Sequence, residues 1–131
     1  MNELKRNFFY KKTRNAQNYR KNAFWVELNG CKYLVSYQTV VAGIDSKGYF
    51  HKFWDDYSAT TQNHINSFFN VFRAYNNMTG EEITGLNKKE WIDYPYEQID
   101  ETVYKQLKPL FPEIEWNYSY RYDYVKKISY S

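Results

Sequence analysis

The sequence predicts an α+β fold: an antiparallel sheet of three or four strands with a helix packed on one face, a second helix and a C-terminal aromatic strand. Residues 23 to 54 are rich in strand-forming side chains and are interrupted by two turn signals. Apolar residues then recur at helical spacing, at Ile65, Phe68, Phe69, Phe72 and Tyr75. Near the C-terminus aromatic and polar residues alternate strictly, which is the period of a strand.

The first strand is predicted at residues 23–28, because it ends at Asn29-Gly30, the strongest short signal for a hairpin. A second, long strand is predicted over 32–44, with a bend at Ala42-Gly43. Turn residues at 45–48 precede a third strand at 49–54. Three successive strands joined by tight turns form an antiparallel meander.

Helices are predicted after the meander. Hydroxyl side chains from Ser58 to Thr61 can cap a helix over residues 60–75, whose apolar face covers the sheet. Residues 76–85 are expected to form a polar turn region. Asn87 is positioned to cap a short helix that Pro95 ends, and Asp100 opens a further helix up to about residue 108.

Length and charge divide the chain into an arm and one domain. The 131 residues suit a single α+β domain at 22–131, with its core at 23–95 and an aromatic extension at 110–131. Residues 1–21 contain seven basic residues and one acidic residue, a net charge of +6, whereas the remainder is at −3. This basic arm suits phosphate groups or an acidic protein surface, and a solvated tail is the alternative.

The alternating segment has three interpretations. Five aromatic rings would share one strand face and form a wall of the core, an interface for protein, or a platform on which single-stranded bases stack. In the last case the arm would hold the phosphates. The predicted partner-binding residues are Trp116, Tyr118, Tyr120, Arg121, Tyr122, Tyr124, Lys11, Lys12 and Arg14.

Catalytic and metal-binding signatures are weak in this sequence. The single cysteine, Cys31, excludes an internal disulfide, and we find no phosphate-binding loop, dinucleotide fingerprint or nucleophile elbow. The cluster of His51, Asp55, Asp56 and His64 is a candidate for metal binding or acid–base chemistry, with turn, capping and packing roles as the alternative. We therefore expect a protein that is not an enzyme and needs no cofactor or metal.

Two stretches of the sequence resemble a known family. The strand contains Ser36-Tyr37-x-Thr39, and the helix start contains Tyr57-Ser58-x-Thr60-Thr61 followed by His64-Ile65-Asn66, with Lys88-Lys89-Glu90-Trp91 later. Together they resemble a short, biochemically uncharacterised domain of Gram-positive phages and mobile elements, over roughly residues 23 to 95. Small phage proteins without catalytic motifs often inhibit host defence, anti-CRISPR proteins among them.

The resemblance implies a phage or mobile-element setting, and that setting leads to an expected function. We expect a non-enzymatic protein that binds a host defence nuclease, above all a CRISPR–Cas effector, and blocks its nucleic-acid engagement, with contact to guide RNA or DNA as an added possibility. The alternative is an accessory protein that binds single-stranded DNA or RNA through the arm and the aromatic segment. No apolar stretch resembles a signal peptide or a membrane span, so we expect a cytoplasmic protein of the bacterial host.

Overall fold

A seven-stranded sheet organises the computed structural model, which describes residues 4–8 and 22–112. The strands are β1 (Asn7–Phe8), β2 (Ala23–Leu28), β3 (Cys31–Ser36), β4 (Thr39–Ile44), β5 (Tyr49–Lys52), β6 (Ala74–Asn76) and β7 (Glu82–Ile83). The helices are α1 (Ala59–Val71), α2 (Lys88–Asp93) and α3 (Glu101–Leu107), followed by a 3-10 turn at Lys108–Leu110. The predicted α+β class is confirmed, but the sheet has more strands than the three or four predicted.

The strands lie in the sheet in the order of the chain. Neighbours are antiparallel except β5 and β6, which are parallel and are connected through α1. A parallel pair needs a long crossover, and α1 provides it. The connections β2–β3, β3–β4, β4–β5 and β6–β7 are short, so these strands form a meander that the crossover through α1 interrupts once.

The hairpin between β2 and β3 confirms the prediction from Asn29-Gly30. The two residues have φ of 55° and 83°. A two-residue turn with both central φ angles positive matches the twist of the flanking strands, and Asn and Gly tolerate that backbone best.

The prediction of one strand over residues 32–44 was wrong, because β3 and β4 form a second hairpin there. The chain reverses at Tyr37 and Gln38, and Tyr37 adopts a φ of 57°. Its backbone N–H donates to the carbonyl oxygen of Asn22 at 2.7 Å, while its ring lies 5.7 Å from that of His64. These tertiary contacts hold a conformation that Tyr rarely adopts. The turn therefore forms although the local sequence contains no ordinary turn signal.

Both faces of the sheet are covered. One face packs against α1 and α2 and carries the larger cluster, whose buried members include Leu34, Ala42, Phe50, Ile65, Phe68 and Trp91. The other face packs against α3 and the 3-10 turn, and its buried members are Phe24, Val26, Val35, Val40 and Leu107. We call these the α1 face and the α3 face. Because strand side chains alternate, successive residues of β5 point to different faces.

The helix starts confirm the predicted caps. The Ser58 hydroxyl accepts from the N–H of Thr61 at 3.0 Å, Asn87 forms a reciprocal capping box with Glu90, and Asp100 accepts from two N–H groups of α3. The helix predicted over 60–75 ends earlier, at Val71, because the chain must become extended for β6 to pair with β5. The predicted turn region 76–85 likewise contains β7.

Part of the predicted basic arm belongs to the sheet. Asn7 and Phe8 pair with β2, and the Asn7 amide donates to the carbonyl oxygen of Trp25 at 3.1 Å. The Arg6 guanidinium lies 5.8 Å from the ring centroids of Phe8 and Phe24.

None of the helices within residues 4–8 and 22–112 has both the length and the apolar character that a membrane span requires.

Candidate functional site

A pocket opens on the α3 face, between β3, β4, β5 and the segment before α3. Its volume is about 430 Å³, and its principal lining residues are Tyr33, Gly43, Asp45, His51, Phe53, Glu97 and Asp100. The register pairs Tyr33 with Gly43 and Gly43 with His51, so these three residues form one row across adjacent strands. The middle position of the row has no side chain, so the rings of Tyr33 and Phe53 can lie close to the backbone there.

Gly43 is the floor of the pocket, and a larger residue would collide with its wall. A Cβ atom at position 43 would lie 2.9 Å from Cε2 of Phe53 and 3.3 Å from Cδ1 of Tyr33. Ordinary packing leaves no room at these distances, so the Phe53 ring would have to move.

We predict that Gly43→Ala narrows the pocket and lowers the free energy of unfolding by about 1–2 kcal/mol, because overpacking forces side chains off their positions. Urea denaturation measures the loss. Gly85→Ala is the matched control, since its Cβ would meet Asn66 at an ordinary 3.7 Å. Equal stability of the two variants would contradict the tight contact between position 43 and the Phe53 ring.

His51 joins two carboxylates at the rim of the pocket. Its Nε2 lies 2.8 Å from Oδ2 of Asp45, and its Nδ1 lies 2.7 Å from Oε1 of Glu97. A neutral imidazole has only one N–H, so two carboxylate partners favour the doubly protonated ring. Burial opposes the charge, but the hydrogen bonds to Asp45 and Glu97 outweigh it and raise the pKa of His51. The bridge connects β5 to the β4–β5 turn and to the segment before α3.

The pKa of Asp45 moves in the opposite direction. Burial acts to raise it, but hydrogen bonds from His51 and from the backbone N–H groups of Tyr49 and Lys47 hold the pKa below its ordinary value. The share of stability from Asp45 is therefore present above a pH of about 3.9 and is lost as pH falls through the lowered pKa. The share from His51 is fully present below a pH of about 6.5 and is lost as pH rises through the raised pKa.

We predict that the chain loses about 1 kcal/mol of unfolding free energy between about pH 6 and about pH 9 through His51, since one charge-assisted hydrogen bond is lost from a partly exposed bridge. Denaturation across this range measures it. The contribution of His51 is the difference in the pH dependence of the unfolding free energy between the native chain and His51→Gln, whose side chain cannot titrate. If both proteins show the same pH dependence, the ionic bridge contributes nothing to stability.

Aromatic rings form the inner wall of the pocket. The rings of His51 and Phe53 are nearly parallel, with an interplanar angle of 9° and centroids 6.0 Å apart, and Tyr33 lies 6.1 Å from Phe53. Burial, reinforced by the neighbouring Cys31, raises the pKa of Tyr33 to about 12. Tyr33 is therefore a neutral phenol at ordinary pH, and the rim charges come from the carboxylates and His51.

The cluster predicted from sequence is not assembled. His51 faces the pocket on the α3 face, whereas His64 belongs to α1 on the other side of the sheet. Asp55 lies 3.8 Å from Nζ of Lys52, and the Asp56 carboxylate accepts from the N–H of Tyr57. In the described part of the chain, no group of three His, Cys, Asp or Glu side chains is arranged to hold a metal ion.

Polar residues of the two sequence motifs meet inside the fold. The buried Ser36 hydroxyl lies 2.9 Å from the Thr61 hydroxyl and 2.8 Å from Nδ1 of His64. The Asn66 carboxamide makes hydrogen bonds to both the N–H and the carbonyl oxygen of Leu86. These side chains connect α1 to the β3–β4 turn and to the segment before α2, so they stabilise the fold.

The residues predicted to bind a partner lie outside the described residues. Lys11, Lys12 and Arg14 fall within 9–21, and Trp116, Tyr118, Tyr120, Arg121, Tyr122 and Tyr124 fall within 113–131. Their assignment to an interface stays a prediction, as does the C-terminal strand. The chain leaves the described region at Pro112, whose carbonyl oxygen accepts from the Gln38 amide at the β3–β4 turn.

Sequence reasoning missed the pocket. One signal was available, because a glycine inside a strand often marks a place where other groups approach the backbone, and Gly43 is such a residue. The acidic rim could not be found in this way. Glu97 and Asp100 come from a segment more than forty residues after β5, and only the fold brings them beside His51.

Comparison with known proteins gives one assignment. One family model matches residues 6–93, and its description is a family of unknown function. This range contains both sequence motifs and most of the sheet, and it ends before Glu97. Neither a curated protein nor a solved structure matches the chain significantly.

Proposed function

The chain belongs to this family, DUF8033, whose description assigns no biochemical activity, and we propose a function from the site itself. The chain is a non-enzymatic protein of a phage or mobile element that binds a host defence nuclease. A CRISPR–Cas effector is the leading target, and the bound protein blocks its engagement of nucleic acid.

The observation that carries this proposal is the acidic, aromatic pocket. Three carboxylates, Asp45, Glu97 and Asp100, line one cavity together with His51. Between residues 22 and 112 the chain has eight basic and eleven acidic residues, so the domain that carries the pocket is itself at −3. Proteins hold nucleic-acid phosphates with Lys and Arg. A surface of that kind is complementary to this pocket, and a protein bound there would exclude nucleic acid.

The motif residues support a binding protein in a different way. Ser36, Thr61, His64 and Asn66 are occupied by hydrogen bonds within the fold. We therefore assign recognition to the pocket and to the two segments that carry the predicted partner-binding residues. The phage or mobile-element setting comes from the resemblance of the motifs to a domain of Gram-positive phages and mobile elements.

A second function is favoured by the charge of the N-terminal arm. Residues 1–21 are at +6, and five aromatic rings alternate with polar residues near the C-terminus. Such a combination suits single-stranded nucleic acid, with the arm on the phosphates and the rings stacked on bases. The two functions differ in their dependence on salt, because release of counterions makes phosphate binding steeply salt-dependent.

Cleavage assays with purified CRISPR effectors test the proposal. The full chain is added either before or after the guide-loaded effector meets its target DNA. We expect inhibition only when the chain is added first, because the bound nucleic acid would otherwise occupy the shared surface. Direct binding is then measured at low and high salt, in parallel with binding to single-stranded DNA and RNA.

A charge-neutralised pair of variants locates the surface. Glu97→Gln with Asp100→Asn removes two rim charges but keeps an acceptor for His51 and a good cap for α3. Glu81→Gln with Asp93→Asn removes two exposed charges outside the pocket lining and is the matched control. Only the first pair is expected to weaken inhibition. Unaltered cleavage together with tight, salt-sensitive binding of single strands would refute the proposal in favour of the second function.

A further inference from the structure

The pocket is large enough for a side chain of a partner and has an aromatic wall. Its volume of about 430 Å³ lies in the range of specific ligand sites, roughly 300–1,000 Å³. Tyr33 and Phe53 form an aromatic wall with an interplanar angle of 32°. A planar group can stack on one ring of such a wall.

The charge of the pocket selects a cation. Asp45, Glu97 and Asp100 together with a protonated His51 leave the rim at −2. Both oxygens of Asp45 accept hydrogen bonds from neighbouring groups. In contrast, no donor within residues 4–8 and 22–112 bonds to Oε2 of Glu97 or to Oδ2 of Asp100. These two oxygens are the acceptors that a ligand can use.

An arginine side chain combines the two properties. Its guanidinium is planar, stacks on aromatic faces and presents donors that match carboxylates in pairs. A lysine ammonium is a compact, strongly hydrated charge that gains less from a flat wall. We propose that the pocket is a subsite for one arginine of the protein partner, with the guanidinium against Tyr33 and Phe53 and donating to Glu97 and Asp100. The partner rests on the proposed function, whereas the chemistry of the subsite does not.

Calorimetric titration of the full chain with small probes tests the subsite. The probes are N-acetyl-arginine amide, N-acetyl-lysine amide and N-acetyl-citrulline amide, which has the shape of arginine without its charge. We expect the arginine probe to bind with a Kd of about 1 mM, and at least about tenfold more tightly than the other two. A short peptide with a central arginine should bind at least as well as the amide. A peptide that does not displace the arginine amide from the pocket would identify a small cationic molecule as the ligand and overturn the assignment to a protein partner.

Variants separate the subsite from general charge attraction. Glu97→Gln with Asp100→Asn should weaken the arginine probe by about tenfold or more, and Phe53→Leu by several-fold, whereas Glu81→Gln with Asp93→Asn leaves the affinity unchanged. Thermal unfolding of each variant establishes that it is folded. Equal affinity for arginine and citrulline, or equal weakening by both double variants, overturns the proposal.

The two proposals fail in different ways. If the arginine probe binds the pocket but no nuclease is inhibited, the proposed function is wrong and the subsite stands. If a nuclease is inhibited equally by the native chain and by Glu97→Gln with Asp100→Asn, and no probe binds, the subsite is wrong, and inhibition of the nuclease stands but through a surface other than the pocket.

Discussion

Replacement of Trp91 by alanine is expected to lower the free energy of unfolding by about 4 kcal/mol, since truncation of a buried aromatic residue removes its burial and leaves a cavity. Trp91 is fully buried and is the largest such side chain in the described region. Its ring lies 6.4 Å from that of Phe50, and its indole N–H donates to the carbonyl oxygen of Asp56 at 2.7 Å. The indole thereby holds α2 to the α1 face of the sheet. A domain of this size is stable by about 5–15 kcal/mol, so the loss is a large fraction of the total.

Two further variants separate the contributions at this position. Trp91→Phe keeps an aromatic ring and loses the hydrogen bond, so we expect a cost of about 1–2 kcal/mol. Ile92→Ala alters the next residue of α2, which is 52% exposed, and should cost less than about 0.5 kcal/mol. Urea denaturation of all three proteins measures the differences. A loss below about 1 kcal/mol in Trp91→Ala would mean that α2 does not contribute to the core as described.

Lys52→Met is expected to lower the free energy of unfolding by about 2–3 kcal/mol, because carbonyl groups at the end of α2 lose their donor. Lys52 is 2% exposed, and its ammonium donates to the carbonyl oxygens of Trp91 at 2.8 Å, Ile92 at 3.2 Å and Tyr94 at 3.1 Å. Helix ends leave carbonyls short of intrahelical donors, and of the three only that of Trp91 also accepts from a backbone N–H of the described residues, that of Tyr94 at 3.2 Å. The lysine therefore caps α2 from a neighbouring strand.

One effect opposes this loss. Burial lowers the pKa of Lys52 despite the nearby carboxylates of Asp55 and Asp93, so the ammonium carries a desolvation cost that methionine removes. We expect the lost hydrogen bonds to exceed that cost, because methionine has no donor for the carbonyls. Lys89→Met is the control, since this lysine is 83% exposed in an ion pair with Asp93 and should matter little. A Lys52→Met protein as stable as the native chain would show that desolvation and capping cancel.

The helix starts and the first hairpin show what local sequence predicts well. Ser58, Asn87 and Asp100 cap the three helices, and Asn29-Gly30 turns between β2 and β3. Each of these signals works over two to four residues, because a side chain meets a backbone amide of its own segment or a glycine permits a positive φ. Such interactions are present in the sequence before any tertiary contact exists.

The β3–β4 turn and the short strands were not predictable in the same way. Tyr37 reverses the chain with a positive φ that Asn22 and His64 stabilise from distant positions. β1, β6 and β7 have only two or three residues each, too few for a periodic pattern. Their pairing depends on strands that are already in place.

The sequence by itself determined the fold class, the three helices and their caps, the first hairpin and the separation of charge between the arm and the domain. It also carried the two motifs that lie within the range matched by the family model. Only the tertiary structure decided the seven-stranded sheet, the separation of His51 from His64 and the pocket on the α3 face. The physical reason is distance along the chain: caps and turns form between near neighbours, whereas the pocket requires Gly43, His51 and Glu97 to converge from separate segments through strand register and loop closure.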